Sequence, residues 1–258
     1  MSAEPAESTP DEMALRVYLL GCVDFEALLR FQRLLHFEIT GNRRQAALIV
    51  CEHPPLITVG RQGSRSHIHL EADELRLRGW PIRWVNRGGG CMLHVPGQLA
   101  LYPILPLDRL RCGIAEYLRG LTETIRAAVE DFSIHAGLGA DDEGVWVGSR
   151  LLAAVGVSVR DWVTSYGAYV NIHPALELFR HVSVSAHQHQ PMTSLERERR
   201  GPVRPALVRE RLIEHFRNRF GFSRIALFSD HPALGLCAKI SSSNEPRGAR
   251  GARGNARG

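Results

Sequence analysis

The spacing of hydrophobic residues predicts three amphipathic helices in this chain. Residues 24–37 have a helical pattern, and the segments 113–132 and 205–220 repeat apolar residues every three or four positions. That period places the apolar residues on one face of an α-helix. In the second segment they are Ile114, Leu118, Leu121, Ile125, Ala128 and Phe132, and in the third Val208, Leu212, Phe216 and Phe220. Each helix therefore has one face to bury against another layer.

Short apolar runs between the helices predict strands. They lie at residues 46–53, 56–60, 81–85 and 99–105, followed by a pair at 144–159 and 162–172 that joins near Arg160 and Asp161. Pro103 has no N–H to donate to a neighbouring strand, so it predicts that 99–105 is an edge strand or contains a bulge. The alternation indicates an α+β fold, in which one mixed sheet is covered by helices within a single domain.

The two ends of the chain differ in composition from this body. Residues 1–12 carry four acidic residues and no base, and residues 241–258 are rich in arginine and glycine without large apolar side chains. We predict a disordered leader over 1–12, a folded domain over 13–240 and a disordered tail over 241–258. The leader lacks the apolar core of a secretory signal, and no apolar run approaches the ~18 residues of a membrane span. These features predict a cytoplasmic protein.

Charge and cysteine content limit the partners, metal sites and catalytic groups that the sequence can support. The net charge of +5 is compatible with an acidic protein partner, and the basic tail has no aromatic residues for stacking nucleic-acid bases. Five scattered cysteines without a CxxC pair disfavour a disulfide framework and a cysteine zinc site. The pairs His67/His69 and His187/His189 have no evident third ligand, so no metal site is expected. Lys239 is the one lysine among 32 basic residues, which leaves almost no candidate for a buried catalytic lysine.

The segment from Asn86 to Pro103 is the most informative motif. Three consecutive glycines follow a predicted strand, between Arg87 and the later His94. Glycines allow backbone to come close to a ligand, and the two side chains supply hydrogen-bonding groups. A tight loop that needs glycine for its geometry alone explains the three glycines equally well.

The order of motifs along the chain resembles the lipoate protein ligase B family, the octanoyl-acyl-carrier-protein:protein octanoyltransferases. The resemblance covers roughly residues 13–222 and rests on EHPPLITVGR (52–61), RGGGCMLHVPGQLALYPIL (87–105), GVWV with AAVGVSV (144–159), SYGAYVNI (165–172), MTSL (192–195) and FRNRFGF (216–222). It implies a biotin/lipoyl protein ligase-like fold and transfer of an octanoyl group from acyl carrier protein. The acceptor is a lysine of lipoyl domains in 2-oxoacid dehydrogenases or of the glycine cleavage H protein. It also implies a monomer without a cofactor.

The resemblance assigns substrate-binding residues to three segments. The first is the glycine loop with the strand that follows it: Arg87, Gly88, Gly89, Gly90, Cys91, Met92, Leu93 and His94. The second is Ala154, Val155 and Gly156, and the third is Gly167, Ala168 and Tyr169. Met92, Leu93 and Val95 depart from the residues usual in the family and make this site more apolar.

Both members of the family's catalytic pair are replaced. The family uses a cysteine nucleophile activated by a lysine; here the cysteine position holds Ser185 and the lysine position holds Leu151. Arg150 is one position away, and a strand points adjacent side chains to opposite faces. A serine hydroxyl is not ionised at neutral pH and needs a base to act as a nucleophile.

Several functional hypotheses are compatible with the sequence. The chain can be an octanoyltransferase that uses Ser185 with His187 or His189 as base, that uses Cys91, or that lets the acceptor lysine attack the thioester directly. It can instead be an inactive homologue that binds an acyl group or a lipoyl domain. An ATP-dependent lipoate or biotin ligase of the same fold would also depend on an active-site lysine, which this chain lacks near the motifs.

Overall fold

The computed structural model describes residues 13–139, 144–183 and 191–234. The helices are α1 (Phe25–Gly41), α2 (Ala72–Arg78), α3 (Ile114–Glu130), α4 (Leu195–Arg199) and α5 (Pro205–Arg219), with short 3₁₀ helices at Arg65–His67, Leu176–His181 and Pro232–Leu234. The strands are β1 (Ala14–Cys22), β2 (Gln45–Glu52), β3 (Leu56–Val59), β4 (Ile82–Trp84), β5 (Cys91–His94), β6 (Gln98–Ile104), β7 (Gly137–Leu138), β8 (Gly144–Val147), β9 (Arg150–Arg160), β10 (Val163–Asn171) and β11 (Arg224–Phe228).

Two sheets organise the chain. The large sheet has the order β11-β1-β2-β6-β10-β9-β8-β7, and the small sheet has the order β4-β3-β5. In the large sheet β1 pairs with β2 and β11 in parallel, and the remaining neighbours are antiparallel. The predicted mixed sheet with helices, in a single domain, is therefore confirmed.

Helices cover the large sheet on both faces. The apolar residues of α1, among them Phe31 and Leu35, pack with Ile49 and Tyr102 on one face. Those of α3 and α5, among them Leu121 and Phe216, pack on the other face. The small sheet and α2 enclose a third apolar cluster, on the same side of the large sheet as α1, because Leu56 and Met92 of the small sheet join the α1 cluster.

Prediction and structure differ at several elements. Strands β1 and β11, helix α2 and strand β5 lie outside the predicted elements, and the predicted strand 144–159 is divided into β8 and β9 by a turn. The hairpin joining β9 and β10 lies where predicted, with Arg160 paired to Val163. Its two turn residues, Asp161 and Trp162, have φ values of 51° and 60°. The predicted termini 1–12 and 241–258 fall outside the described residues, so their disorder stays a prediction.

The edge position predicted from Pro103 is wrong. Strand β6 lies inside the large sheet, between β2 and β10. Its ladder with β10 covers Gln98–Leu101 and resumes only as a bridge between Pro106 and Val163, so the ladder is interrupted around the proline. The missing N–H is thus accommodated by a local break in pairing rather than by an exposed edge.

Within the described ranges, no helix has both the length and the apolar character that a membrane span requires.

Candidate functional site

The three segments nominated from the sequence come together on the α1 side of the large sheet. Strands β9 and β10 pair Gly156 with Gly167 and Ala154 with Tyr169. The glycine loop reaches β9 because the N–H of Gly88 donates a 2.8 Å hydrogen bond to the Val157 carbonyl. The loop is therefore fixed directly above the paired glycines of the sheet.

Two glycines provide the room that this approach requires. A Cβ on Gly156 would lie 2.7 Å from the Gly88 oxygen and 3.2 Å from Arg87 Cδ. A Cβ on Gly60 would lie 2.4 Å from the Gly89 oxygen and 2.9 Å from Arg87 Nη1. Any side chain at either position would push the loop away, so both glycines are needed for close backbone approach.

Arg87 is a buried cation at the centre of this arrangement. Its side chain is 3% exposed. Nη1 donates to the Gly88 oxygen at 2.9 Å, and Nη2 donates to the Thr58 carbonyl at 3.1 Å and to Thr58 Oγ1 at 2.8 Å. The guanidinium carbon is 5.9 Å from the centre of the Tyr169 ring. Nε is buried without a hydrogen-bond partner, and no carboxylate in the described ranges pairs with this arginine.

The hydrogen bonds around His94 fix its tautomer. Thr58 Oγ1 accepts from Arg87, so its own proton is directed to His94 Nε2, 2.8 Å away. Nδ1 then carries the proton and donates to Gln98 Oε1 at 3.1 Å. Burial, together with the nearby His53 and Arg87, holds the pKa of His94 well below its usual range. His94 is a neutral connector between Arg87 and Gln98.

The same chain of hydrogen bonds continues across the large sheet. Gln98 Nε2 donates to Asn171 Oδ1 at 3.0 Å, and Asn171 Nδ2 donates to the Thr193 carbonyl at 3.0 Å. Thr193 is the third residue after the second gap in the described chain. The glycine loop is thereby connected through buried polar groups to the segment 191–193.

A second buried histidine lies beside the first. His53 Nδ1 donates to the Val23 carbonyl at 2.8 Å, and its Nε2 accepts from the Tyr102 hydroxyl at 2.8 Å. Burial lowers the pKa of His53 to about 4. The His53 and His94 rings are 5.9 Å apart, so a proton on either would repel a proton on the other.

These two histidines predict an acid-sensitive fold. An unfolded histidine has a pKa of about 6.5, so below that pH the unfolded chain binds protons that the folded chain excludes. The free energy of unfolding should fall as pH drops from 6.5 towards 4, by up to about 1.4 kcal/mol per pH unit for each histidine. Urea unfolding between pH 7.5 and 5 measures this slope. The variant His53→Gln/His94→Gln should have a clearly shallower slope, and parallel slopes for variant and wild type would contradict the assignment.

The predicted substrate-binding residues on β5 point to two opposite faces of the strand. Met92 faces the α1 cluster, as does His94, whereas Cys91 and Leu93 point into the core of the small sheet. The Cys91 thiol donates to the Ser64 carbonyl at 3.4 Å, and burial raises its pKa. On β9 and β10, Ala154 and Tyr169 face the α1 side, while Val155 and Ala168 pack in the core under α3 and α5.

Comparison with known proteins decides the family. The lipoyl protein ligase A/B catalytic domain matches residues 24–217. The chain belongs to this family. It is 34% identical over 197 residues to the octanoyltransferase of Geotalea uraniireducens, covering 76% of this chain and 89% of the relative. It is 34% identical over 212 residues to the octanoyltransferase of Solibacter usitatus, covering 80% and 93%.

Solved structures share the fold of this lipoyl protein ligase family member. A lipoate-protein ligase A bound with ATP superimposes with a TM-score of 0.72 at 15% identity, covering 86% of this chain and 91% of the other. The bi-partite lipoate protein ligase of Thermoplasma acidophilum superimposes with a TM-score of 0.66 at 15% identity, covering 86% and 89%. At this identity the similarity establishes the shared architecture alone.

Leu151, which holds the position assigned to the family's lysine, faces the site. The register between β8 and β9 shifts so that Leu152 is an extra residue on β9. This bulge places Leu151 and Gly156 on the same face, although a regular strand alternates faces at every residue. The Leu151 side chain is 3% exposed and belongs to the apolar cluster that contains Met92, Ala154 and Tyr169. No amine stands at this position.

Arg150 does not substitute for the missing lysine. Its guanidinium pairs with Glu198 of α4 through two 2.8 Å hydrogen bonds. Glu198 also accepts a hydrogen bond from the Thr193 hydroxyl, and the hydrogen bonds from Arg150 and Thr193 help to lower its pKa. The predicted opposite orientation of Arg150 and Leu151 is confirmed. Arg150 instead connects β9 to α4, and Glu198 in turn holds Thr193.

A cleft of about 610 Å³ opens beside this apolar cluster. Met92 and Met192 lie in its lining, with Arg180 and Arg197 at exposed positions along it. Its base is held by backbone hydrogen bonds from Leu151 to Pro191 and from Thr193 to Leu151, of 3.0 and 2.9 Å. Ser185, His187 and His189 lie outside the described residues, as does Lys239.

Four residues with structural roles at the site were not nominated from the sequence: Thr58, Gly60, Gln98 and Asn171. Each lies inside or next to a recognisable motif, because LITVG contains Thr58 and Gly60, PGQ contains Gln98 and YVNI contains Asn171. They have these roles because they lie in strands near the glycine loop or, for Gly60, directly after one. Finding them from the sequence would require knowing which strands pair. In the described ranges, no three His, Cys, Asp or Glu side chains are grouped to hold a metal ion.

Proposed function

We propose that this octanoyltransferase-family protein transfers an octanoyl group from acyl carrier protein to the lysine of a lipoyl domain. The observation that carries the proposal is the convergence of the glycine loop with the paired glycines of β9 and β10 beside an apolar wall. The tight packing at Gly60 and Gly156 fixes the glycine loop against its neighbours. Apolar side chains of the adjoining cleft form a surface suited to an alkyl chain: Met92, Leu176, Phe179 and Met192.

The partners follow from the relatives and from charge. The curated relatives are octanoyltransferases, and the Thermoplasma acidophilum structure belongs to a structural analysis of a lipoate protein ligase and its E2 lipoyl domain. Arg180 and Arg197 line the cleft without carboxylate partners in the described ranges, and Glu177 is the one carboxylate in the same lining, so the cations are in excess. Exposed cations at the entrance favour the approach of acidic carrier domains.

Direct transfer fits the residues present. The acceptor amine attacks the thioester carbonyl, an amide bond forms, the carbon–sulfur bond breaks, and the carrier thiol leaves with the proton given up by the amine. Negative charge develops on the carbonyl oxygen during this step, and the positive charge of Arg87, which pairs with no carboxylate among the described residues, favours it. Positioning of the two carriers supplies the remaining acceleration. Cys91 borders the cleft but is unsuited as a nucleophile, because its thiol donates to the Ser64 carbonyl and burial raises its pKa.

A second candidate function is acyl binding without transfer. The observation that favours it is Leu151, which replaces a cation with an apolar side chain that packs against Met92 and Ala154. Such a protein would hold an acyl chain or a carrier domain while a catalytically complete relative performs the reaction.

A single assay separates these functions. We expect that mixing this protein with octanoyl acyl carrier protein and an apo lipoyl domain yields octanoylated lipoyl domain, detected by intact-mass spectrometry. Transfer should persist in Ser185→Ala and Cys91→Ala, without an octanoyl adduct on the protein itself. Loss of transfer in one of these variants would instead identify that residue as a nucleophile. No transfer, combined with retention of the octanoyl carrier on immobilised protein, would establish the binding function.

A further inference from the structure

A second groove, of about 540 Å³, lies between α1 and the β9–β10 hairpin. Its lining includes Gln32, Arg33 and Phe37 from α1, Asn86 from the start of the glycine loop, and Arg160 and Tyr166 from the hairpin. The groove adjoins the glycine loop, because Asn86 directly precedes Arg87, but it shares no lining residue with the cleft beside Met92 and Met192.

Gln32 presents an unused donor in this groove. The residue is 3% exposed, and its Oε1 accepts the Tyr166 N–H at 2.9 Å. This bond fixes the orientation of the amide, since the backbone N–H can pair only with the oxygen. Nε2 is left buried without a hydrogen-bond partner. A buried amide nitrogen carries two donors, and leaving them unpaired is unfavourable unless a ligand supplies an acceptor.

The groove also carries excess positive charge. Arg33 is exposed and pairs with no carboxylate in the described part of the chain. Arg160 has an 85% exposed side chain, and its Nε is 3.6 Å from Oδ2 of Asp161, a carboxylate that also lines the groove. Two guanidinium groups against one carboxylate leave a net positive charge.

The backbone of the groove wall is held in an unusual conformation. Tyr166 has a φ of 58°, in the left-handed region that is costly for a residue with a side chain. The hydrogen bond from its N–H to Gln32 supports this conformation. The wall that carries Tyr166 and the wall that carries the unused amide are thus fixed to each other.

We propose that this groove binds a phosphoryl group attached to a small apolar or aromatic moiety. A phosphoryl group has several acceptor oxygens arranged tetrahedrally, so it can meet Gln32 Nε2 and Arg33 on one wall and Arg160 on the other. The exposed ring of Phe37, 78% accessible, offers a surface for the attached moiety. The proposal is independent of the acyl-transfer function.

Solution NMR of the full chain tests this binding directly. Phenyl phosphate and inorganic phosphate are the probes, and the readouts are the side-chain amide of Gln32 and the backbone amide of Tyr166. We expect saturable shifts of both signals, with phenyl phosphate binding about two- to tenfold more tightly through Phe37. Phe37→Ala should remove this preference. If neither probe shifts these signals up to tens of millimolar, the proposal is overturned.

Two variants identify the groups that contact the anion. Gln32→Glu keeps an acceptor for the Tyr166 N–H but replaces the unused donor by a carboxylate oxygen, and should weaken phenyl phosphate binding about tenfold or more. Arg33→Ala/Arg160→Ala changes exposed residues only and should weaken it to a similar degree. Arg217→Ala, an exposed arginine of α5 on the opposite face of the sheet, is the matched control. Unchanged affinity in both test variants, or equal loss in Arg217→Ala, would disprove the site.

Discussion

Gly167→Ala should destabilise the fold more than other single-methyl additions at the glycines discussed above. A Cβ at this position would lie 2.0 Å from the Leu101 carbonyl oxygen and 2.8 Å from Pro103 Cδ. The first of these atoms belongs to the backbone of β6, an interior strand, so no side-chain rotation relieves the clash. We expect a loss of more than about 3 kcal/mol in the free energy of unfolding, or a failure to accumulate folded protein.

Gly137→Ala is the matched control for this substitution. Gly137 lies in β7, at the edge of the same sheet, and a Cβ there meets no atom within 4 Å. Its stability should stay within about 0.5 kcal/mol of wild type, as for most exposed substitutions. Urea unfolding monitored by circular dichroism compares the two variants. Equal stability of both proteins would show that β6 and β10 are further apart than described.

Backbone approaches closely at Gly156 and Gly167, and this explains why the motifs that contain these glycines are informative in the amino-acid sequence. A glycine that admits neighbouring backbone cannot be exchanged freely, so Gly156 and Gly167 belong to motifs that the sequence alone reveals. The helices are predictable for a different reason, since α3 and α5 bury one regular stripe each. The first residue of the predicted α3 stripe is an exception, because Ile114 is 47% exposed and Tyr117 is buried in the first turn. Both signals are local in the chain.

Features that depend on distant pairing are not predictable in this way. Strand β11 forms only by parallel pairing with β1, some two hundred positions earlier, and local sequence does not encode that pairing. Pro103 predicts an edge only if the ladder is regular, and the real ladder is broken beside it. Likewise, the spacing from Leu151 to Gly156 gains its meaning only from the bulge at Leu152. The family resemblance assigns the lysine position to residue 151, and the bulge in β9 explains how the side chain at that position faces the site.

Placing a lysine at 151 and a cysteine at 185, the positions to which the resemblance assigns the family's catalytic pair, should produce the largest gain in activity available to this chain. We expect Leu151→Lys/Ser185→Cys to raise the rate of octanoyl transfer by about 10²–10⁴-fold over wild type. The physical reason is that a thiolate captures the acyl group as a second thioester, which remains reactive towards an amine, whereas wild type offers no ionised nucleophile at these positions. The lysine ammonium lowers the thiol pKa, and its apolar surroundings among Met92 and Ala154 lower its own pKa in turn.

The single variants distinguish this mechanism from a general effect of the substitutions. Ser185→Cys alone lacks the cation that stabilises the thiolate, and Leu151→Lys alone lacks the nucleophile, so each should gain far less than the pair. Only the double variant should accumulate an octanoyl adduct, visible by intact mass before the lipoyl domain is added.

Lysine at 151 also buries an amine in the apolar cluster, so the two variants that carry it should lose stability at neutral pH while Ser185→Cys does not. If the double variant folds, binds the octanoyl carrier and still transfers no faster than wild type, then position 151 does not face the reacting thioester, and the bulge at Leu152 does not have the role assigned to it.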